Sequence, residues 1–188
     1  MIGFAVTGSF CTHEKALGVL EELIRAGYRV KPIVSFSASA TDTRFGKAEE
    51  LLRRLSDLTG EAVITTIPEA EPLGPKTPLD ALFICPCTGN TLAKLASGIT
   101  DTPVTMAAKA HLRQGRPLLL ALATNDAMGS NLKNIGVLSE KKSVFFVPMV
   151  QDDPEKKPFS LVSDFSLCSS ALNEAMRGSQ LRPLFLTK

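Results

Sequence analysis

Histidine and long apolar runs are scarce in this sequence. Its 188 residues include two histidines, His13 and His111, too few for a Ser/His/Asp triad or a histidine-based metal cluster. His13 lies near the start of the first predicted helix, where it faces either solvent or a ligand, and His111 is expected at the surface. No apolar run approaches the ~20 residues that span a bilayer, and the N-terminus has no basic leader, so we expect a cytoplasmic protein.

Cysteine is also sparse, and its spacing is uninformative. The four cysteines lack the paired spacing of a zinc site or of a small secreted scaffold; they are Cys11, Cys85, Cys87 and Cys168. Cys85-Pro86-Cys87 has one intervening residue and is a poor match to a CxxC redox motif. Reduced thiols are therefore the expectation.

Neither sign of charge dominates. Lys plus Arg number 21 and Asp plus Glu 19, which gives a net charge of +2. This balance disfavours a nucleic-acid or membrane surface and indicates small molecules or proteins as partners.

Apolar strands alternate with amphipathic helices along the chain. Strands are predicted at 2–6, 30–36, 62–67, 79–85 (ended by Pro86), 117–122 and, as the final one, 143–147. Helices are predicted at 16–24, between Gly46 and Gly60, and at 90–96, 103–115, 125–138 (in part loop) and 159–176, with a loop at 68–78. The pattern predicts a Rossmann/flavodoxin-like α/β fold, a three-layer, doubly wound parallel sheet, in one domain over residues 1–188.

Ligands of such sheets bind beyond the carboxyl ends of the strands. After the first strand, Gly8, Ser9 and Phe10 precede a helix, whose free N–H groups favour phosphate. The run lacks GxGxxG, so a dinucleotide is not indicated. A tight turn that merely feeds a capped helix is the alternative.

The second strand ends in hydroxyl groups, at Ser35, Ser37 and Thr41. A nicotinamide-binding fold often has an acidic residue there, for the ribose. Neutral hydroxyls instead suit a phosphate, which a carboxylate would repel. The alternative is a Ser/Thr-rich loop that satisfies its own backbone.

The segment 86–101 carries the most specific pattern. It contains Asn-Thr followed by Ala-Lys-Leu-Ala-Ser-Gly-Ile-Thr-Asp, after a small-residue turn. This segment resembles the flavin loop of the homo-oligomeric flavin-containing cysteine decarboxylase family, with its Ala-Lys-x-Ala-x-Gly-Ile-x-Asp run. The alternative is a merely well-capped helix.

The resemblance implies a homo-oligomer that binds flavin mononucleotide (FMN). The residues implied to hold the cofactor are Gly8, Ser9, Phe10, Ser35, Ser37, Thr41, Pro86, Thr88, Gly89, Asn90, Thr91, Thr124 and Asn125. The family's Pro-Ala-Met-Asn region survives only as residues 123–128, which keep Asn125 and lose the Pro. The family's catalytic His, expected before the strand 79–85, is absent from 71–78, which argues against cysteine decarboxylation.

Over its whole length the chain resembles a member of this family that acts with a separate nicotinamide-dependent, dehydrogenase-like A subunit. The resemblance implies oxidation of a small dicarboxylate precursor. Lys157, in a charged loop, is the candidate counter-charge for that substrate, although a solvated charge run is equally compatible. No catalytic acid or base can be named. The other interpretations are a flavin-dependent decarboxylase or prenyltransferase, and a non-catalytic partner module.

Overall fold

The computed structural model describes residues 1–74 and 76–187. The strands are β1 Ile2–Val6, β2 Val30–Val34, β3 Ala81–Cys87, β4 Leu118–Thr124, β5 Val144–Phe146, β6 Met149–Val150 and β7 Leu161–Ser163. The helices are α1 His13–Arg25, α2 Phe36–Ala40, α3 Ala48–Thr59, α4 Ile67–Ala70, α5 Gly89–Ser97, α6 Pro103–Leu112, α7 Leu132–Ser139 and α8 Cys168–Met176. Short 3-10 turns at Phe10–Thr12 and Phe165–Leu167 precede α1 and α8.

Five of the strands form a parallel sheet in the order β2-β1-β3-β4-β5. This is the strand order of flavodoxin-like sheets, whose ligands bind where the order reverses beside β1. The antiparallel strand β7 continues the sheet from the carboxyl end of β4, and β6 pairs with β7. The predicted doubly wound α/β fold is confirmed, with an antiparallel extension that makes the sheet mixed.

Both faces of the sheet are covered by helices. One core cluster joins the sheet to α1, α3 and α8, and the other joins it to α4, α5, α6 and α7. Within the first cluster the rings of Phe4 and Phe83 meet edge to face at 5.6 Å. Strands buried on both faces explain why β1, β3 and β4 read as nearly continuous apolar runs. Among the described residues, no helix is long and apolar enough to cross a membrane.

The predicted strand 62–67 is wrong apart from one bridge. Ile64 pairs with Ile33, and the chain then enters α4, inside what was expected to be a loop. Thr66 accepts a hydrogen bond from the Glu69 N–H, and the Glu69 carboxylate accepts from the Thr66 N–H. This capping box, with a proline in the first turn, starts a helix even in a short segment. Pro75, in the same predicted loop, lies outside the described residues.

Three predicted element ends differ from the structure. The strand 30–36 stops at Val34, because the Ser35 side chain caps α2. Pro86 does not end β3, which continues to Cys87; the ladder to β4 shifts register between Ile84 and Cys87, where a proline without an N–H is tolerated. The helix expected at 125–138 begins only at Leu132.

The C-terminal region was also predicted only in part. The strand at 143–147 is present as β5, but it is not the last strand, since β6 and β7 follow. The helix expected at 159–176 is confined to α8, and its first part is β7. β7 has only three residues, and so short an apolar pattern is compatible with a strand or a helix.

Candidate functional site

The loops after β1 and β2 meet at the carboxyl edge of the sheet. A Cβ atom placed on Gly8 would lie 2.9 Å from the Ser37 Oγ, so the two loops are in close contact. The Ser35 and Ser37 hydroxyls lie 3.2 Å apart, and Ser35 also caps α2. We call Gly8, Ser9, Ser35 and Ser37 the hydroxyl rim. It brings together most of the residues that the sequence predicts for phosphate.

Thr7 fixes the third loop beside the hydroxyl rim. Its side chain is buried; the hydroxyl donates to the Pro86 carbonyl at 2.7 Å and accepts from the Thr88 N–H at 3.0 Å. These two hydrogen bonds therefore align the carboxyl end of β1 with the carboxyl end of β3. Sequence reasoning missed this role, although Thr7 directly precedes Gly8, because the partner lies 79 residues away.

The segment after β3 starts α5, as the sequence predicts. Thr88 is the N-cap: its hydroxyl accepts from the Thr91 N–H at 3.2 Å and donates to the Thr91 hydroxyl at 3.0 Å. Thr91 is buried, whereas Asn90 is exposed. Of the residues in this segment that are implied to hold the cofactor, Asn90 therefore offers the most accessible polar side chain.

The loop after β4 covers Gly89. A Cβ atom on Gly89 would lie 2.6 Å from the Thr124 Oγ1 and the Asn131 Nδ2, and 2.7 Å from the Asp126 Oδ1. The Thr124 hydroxyl and the Asn131 amide, the latter at 2.9 Å, both donate to the Asp126 carboxylate. The chain's own anion thus lies over the first residue of α5, where the helix dipole favours negative charge. Nothing in the sequence indicated that Asp126 and Asn131 reach this position.

The hydroxyl rim and the start of α5 differ in how well they suit a flavin phosphate. The hydroxyl rim presents neutral donors, and the lack of a side chain on Gly8 lets the Ser37 hydroxyl approach its backbone. The carboxylate of Asp126 would repel a phosphate at Gly89. The residues present therefore fit a monophosphate group on the hydroxyl rim, with Gly89 too closely covered to receive it.

Phe10 and Thr41 border the hydroxyl rim: a Cβ atom on Gly8 would lie 3.7 Å from a ring carbon of Phe10, and the Thr41 N–H donates to the Ser37 carbonyl at 3.1 Å. Together with His13 they line a small cavity of about 100 Å³ between α1 and α3. The rings of Phe10 and His13 are 5.3 Å apart. Thr124 is half-buried through its contact with Asp126, Asn125 is exposed, and Pro86 is buried in β3.

Both histidines are more buried than predicted. His13 is half-buried with its Nε2 2.8 Å from the Thr7 carbonyl, so a solvated His13 is wrong. His111, expected at the surface, is fully buried with its Nε2 2.9 Å from the Pro117 carbonyl. Burial lowers the pKa of each histidine below its usual 6.5, although the carbonyl contacts oppose the shift.

These pKa shifts predict loss of stability in mild acid. The unfolded chain takes up histidine protons as the pH falls through 6.5, whereas the folded chain does so only at lower pH. We expect the free energy of unfolding to fall below that pH, by at most about 1.4 kcal/mol per pH unit for each histidine. Urea denaturation at about pH 7.5 and about pH 5.5 measures this.

The matched control is the double variant His13→Gln, His111→Gln, which should flatten the pH dependence. The glutamates with lowered pKa values, Glu14, Glu61 and Glu69, titrate below their usual 4.5 and so act outside this window. Equal stability of the unmodified chain at the two pH values would contradict the prediction.

Lys157, the predicted substrate counter-charge, lies in an ion pair. Its Nζ donates to the Asp152 carboxylate at 3.0 Å, and this contact raises the pKa of Lys157. The nearby Asp153 carboxylate adds to this effect. Although burial opposes it, hydrogen bonds from Ser160 and Lys157 lower the pKa of Asp152. A substrate carboxylate would have to share Lys157 with Asp152.

Three of the four thiols are poorly placed for redox chemistry. Cys85, Cys87 and Cys168 are buried, and Cys11 is exposed. Burial raises the pKa of Cys85 and Cys87, and for Cys85 the hydrogen bond with Cys168 adds to the effect. Across residues 1–74 and 76–187, no group of three or more His, Cys, Asp or Glu side chains could hold a metal ion.

Known proteins are similar to this chain in sequence and in fold. Residues 1–168 match the family model described as Flavoprotein. The B subunit of dipicolinate synthase from Bacillus subtilis (strain 168) is 46% identical over 185 residues, which is 98% of this chain and 92% of the relative.

Solved structures show the same similarity. A crystal structure of the B subunit of dipicolinate synthase from Bacillus halodurans C superimposes with a TM-score of 0.91 and 41% identity, covering 100% of this chain and 96% of the other. The FMN-dependent cysteine decarboxylase SpaF superimposes with a TM-score of 0.68 and 25% identity, covering 93% and 95%. The resemblance inferred from the segment 86–101 is therefore confirmed, and the chain belongs to the Flavoprotein family.

Proposed function

We propose that this chain acts as the flavoprotein-like B subunit of a dipicolinate synthase. It works with a dehydrogenase-like A subunit, in the cytoplasm of a sporulating cell, to oxidise a dihydrodipicolinate-level precursor to dipicolinate. The observation that carries the proposal is the 46% identity to the Bacillus subtilis protein over 98% of this chain. We treat residues 1–188 as one flavoprotein-type domain that forms a homo-oligomer.

The cofactor in this proposal is FMN. Gly8, Ser9, Ser35 and Ser37 hold its phosphate, and this assignment is supported by the contact between the loops after β1 and β2. Phe10 and Thr41 border the same end of the sheet from the neighbouring small cavity. The uncharged rim suits a dianionic phosphate because nothing in it repels negative charge.

The remaining predicted residues form or support the surroundings of the flavin ring in this proposal. Thr88 and Thr91 shape the start of α5 and Pro86 positions it, while Thr124 holds Asp126 over Gly89. Asn90 and Asn125 are exposed, so their amides are the groups that a ring and its substrate can reach first. Binding of the ring through these two amides requires no contact between a ligand and the covered Gly89 backbone.

The oxidation removes a hydride and a proton from the dihydro ring. When bound, FMN would supply a ring that can accept this hydride, with the A subunit's nicotinamide as the alternative acceptor, and the proton is released to water. This chain's residues bind and orient the substrate: Lys157 attracts a substrate carboxylate and releases part of its contact with Asp152. Neither histidine is assigned a proton transfer, because His13 and His111 both have Nε2 engaged by a backbone carbonyl.

Two other functions are less well supported. A decarboxylase of the cysteine type is disfavoured because residues 71–78 contain no histidine. Prenyl transfer needs basic residues around a prenyl phosphate, and the hydroxyl rim is neutral. A non-catalytic partner module remains the competing interpretation, since flavin contacts without an identified acid or base suit it equally well.

Reconstitution tests the proposed function. We expect dipicolinate absorbance to increase when the purified chain, the A subunit and a dihydrodipicolinate-level precursor are mixed, and not when either protein is left out. The variant Lys157→Gln should raise the KM for the precursor, because it removes a charge-assisted contact. Gln is close in length and Lys157 is exposed, so the fold should be retained.

Two outcomes would contradict the proposal. Dipicolinate synthesis by the A subunit alone at the rate of the mixture would remove any need for this chain. Release of carbon dioxide by this chain alone would instead assign it to the decarboxylases.

A further inference from the structure

A large cavity lies at the opposite end of the sheet from the hydroxyl rim. Its volume is about 500 Å³, within the range of small-molecule sites. Leu118 and Val144, at the amino ends of β4 and β5, form part of its floor, and the carboxyl-terminal parts of α5, α6 and α7 surround it. None of the residues predicted for the cofactor lines it.

The walls of this cavity are cationic on two sides. Lys109 and Arg113 come from the end of α6, one turn apart, and Lys141 and Lys142 come from the turn between α7 and β5. All four side chains are exposed, and none of them forms an ion pair within residues 1–74 and 76–187. No Asp or Glu lines the cavity in the part of the chain that the structure describes.

Helix ends explain only part of this arrangement. Cations near a helix C-terminus interact favourably with the helix dipole, which accounts for a basic residue at the end of α6. The dipole does not explain why cations from two separate elements converge on one apolar cavity. Without a bound anion, four like charges around one space repel one another.

We propose that this cavity binds a flat organic dianion, with carboxylates on opposite sides of an aromatic ring. The ring lies on the apolar floor of Leu118 and Val144. One carboxylate faces Lys109 and Arg113, and the other faces Lys141 and Lys142. Arginine offers a bidentate contact, and the lysines act as point charges. If the proposed function is right, the dipicolinate product has this chemistry, and the cavity is a second, non-catalytic site for it.

Calorimetric titration of the chain alone tests the site without the A subunit. The probes are pyridine-2,6-dicarboxylate, whose choice rests on the proposed function, and benzene-1,3-dicarboxylate, which does not. We expect both to bind, and benzoate or the neutral pyridine-2,6-dicarboxamide to bind at least about tenfold more weakly. All titrations are made at one ionic strength, because exposed charges are screened by salt.

Paired variants locate the bound dianion. Lys109→Gln with Arg113→Gln, and separately Lys141→Gln with Lys142→Gln, should each weaken binding at least about tenfold. Arg25→Gln is the matched control, because Arg25 also lies in the last turn of a helix but lines no described cavity. It should leave the affinity unchanged.

Several results would overturn the site. They are the absence of binding, equal affinity for the dicarboxylate and the dicarboxamide, or a loss of binding in Lys157→Gln but not in the cavity variants. The comparison of ligands uses the unmodified chain, so it stands even if a variant fails to fold. A chain that binds the dicarboxylates at this cavity but gives no dipicolinate with the A subunit would refute the proposed function and leave the site intact.

Discussion

Gly8→Val is expected to weaken the binding of FMN by the purified chain roughly 100-fold or more, equivalent to about 2.8 kcal/mol. The reason is the close packing of the Ser37 hydroxyl against Gly8. A Cβ atom there would lie 2.9 Å from the Ser37 Oγ, and 3.7 Å from a ring carbon of Phe10. The two methyl groups of valine would occupy the position in which a phosphate oxygen meets the hydroxyl rim. Titration followed by flavin fluorescence measures the change.

The Cβ atom that either Gly8→Ala or Gly8→Val adds should cost little stability. The atom nearest to the added Cβ is the end of the Ser37 side chain, which can rotate, and Gly8 does not need a positive φ. Gly8→Ala should therefore weaken FMN binding less than Gly8→Val, as the smaller side chain fills less space. Gly18→Ala is the matched control, since nothing lies within 4 Å of its added Cβ.

Thermal unfolding of each variant separates the two effects. An unchanged affinity in a folded Gly8→Val variant would exclude the hydroxyl rim as the phosphate site. If Gly8→Val instead binds FMN weakly and is also much less stable, unfolding would explain the weak binding. The affinity of Gly8→Ala for FMN then tests the phosphate site.

The central sheet could be predicted from the sequence because its signals are local. β1, β3 and β4 are buried on both faces, so each reads as an apolar run, and amphipathic helices such as α3 separate them. The antiparallel strands β6 and β7 were missed because each has only two or three residues. Their pairing with the end of β4 depends on contacts that no short window of sequence contains.

The candidate site, like the sheet, could be predicted only where its signals are local in the sequence. Glycine and hydroxyls after β1 and β2 indicated the rim, because parallel strands bring their carboxyl ends to one edge. The position of Asp126 over Gly89 was not predictable, since it depends on the path of the loop between β4 and α7 and on the Asn131 amide. His111 was misjudged because its burial comes from the packing of α6 beside Pro117, which its polar neighbour Arg113 conceals.

The phosphate group itself should account for much of the affinity for FMN. Riboflavin has the same ring system and ribityl chain without the phosphate, so it cannot form charge-assisted hydrogen bonds with the hydroxyl rim. Such bonds contribute about 1.5–3 kcal/mol each, and the loss of two predicts an affinity for riboflavin at least about 100-fold weaker. The exposed amides of Asn90 and Asn125 remain available to both ligands.

Parallel fluorescence titrations of the unmodified chain with FMN and with riboflavin test the central claim most directly. We predict saturable binding of FMN and much weaker binding of riboflavin. Equal affinities for the two flavins, or no binding of FMN at any accessible concentration, would contradict the assignment of a flavin phosphate to the hydroxyl rim.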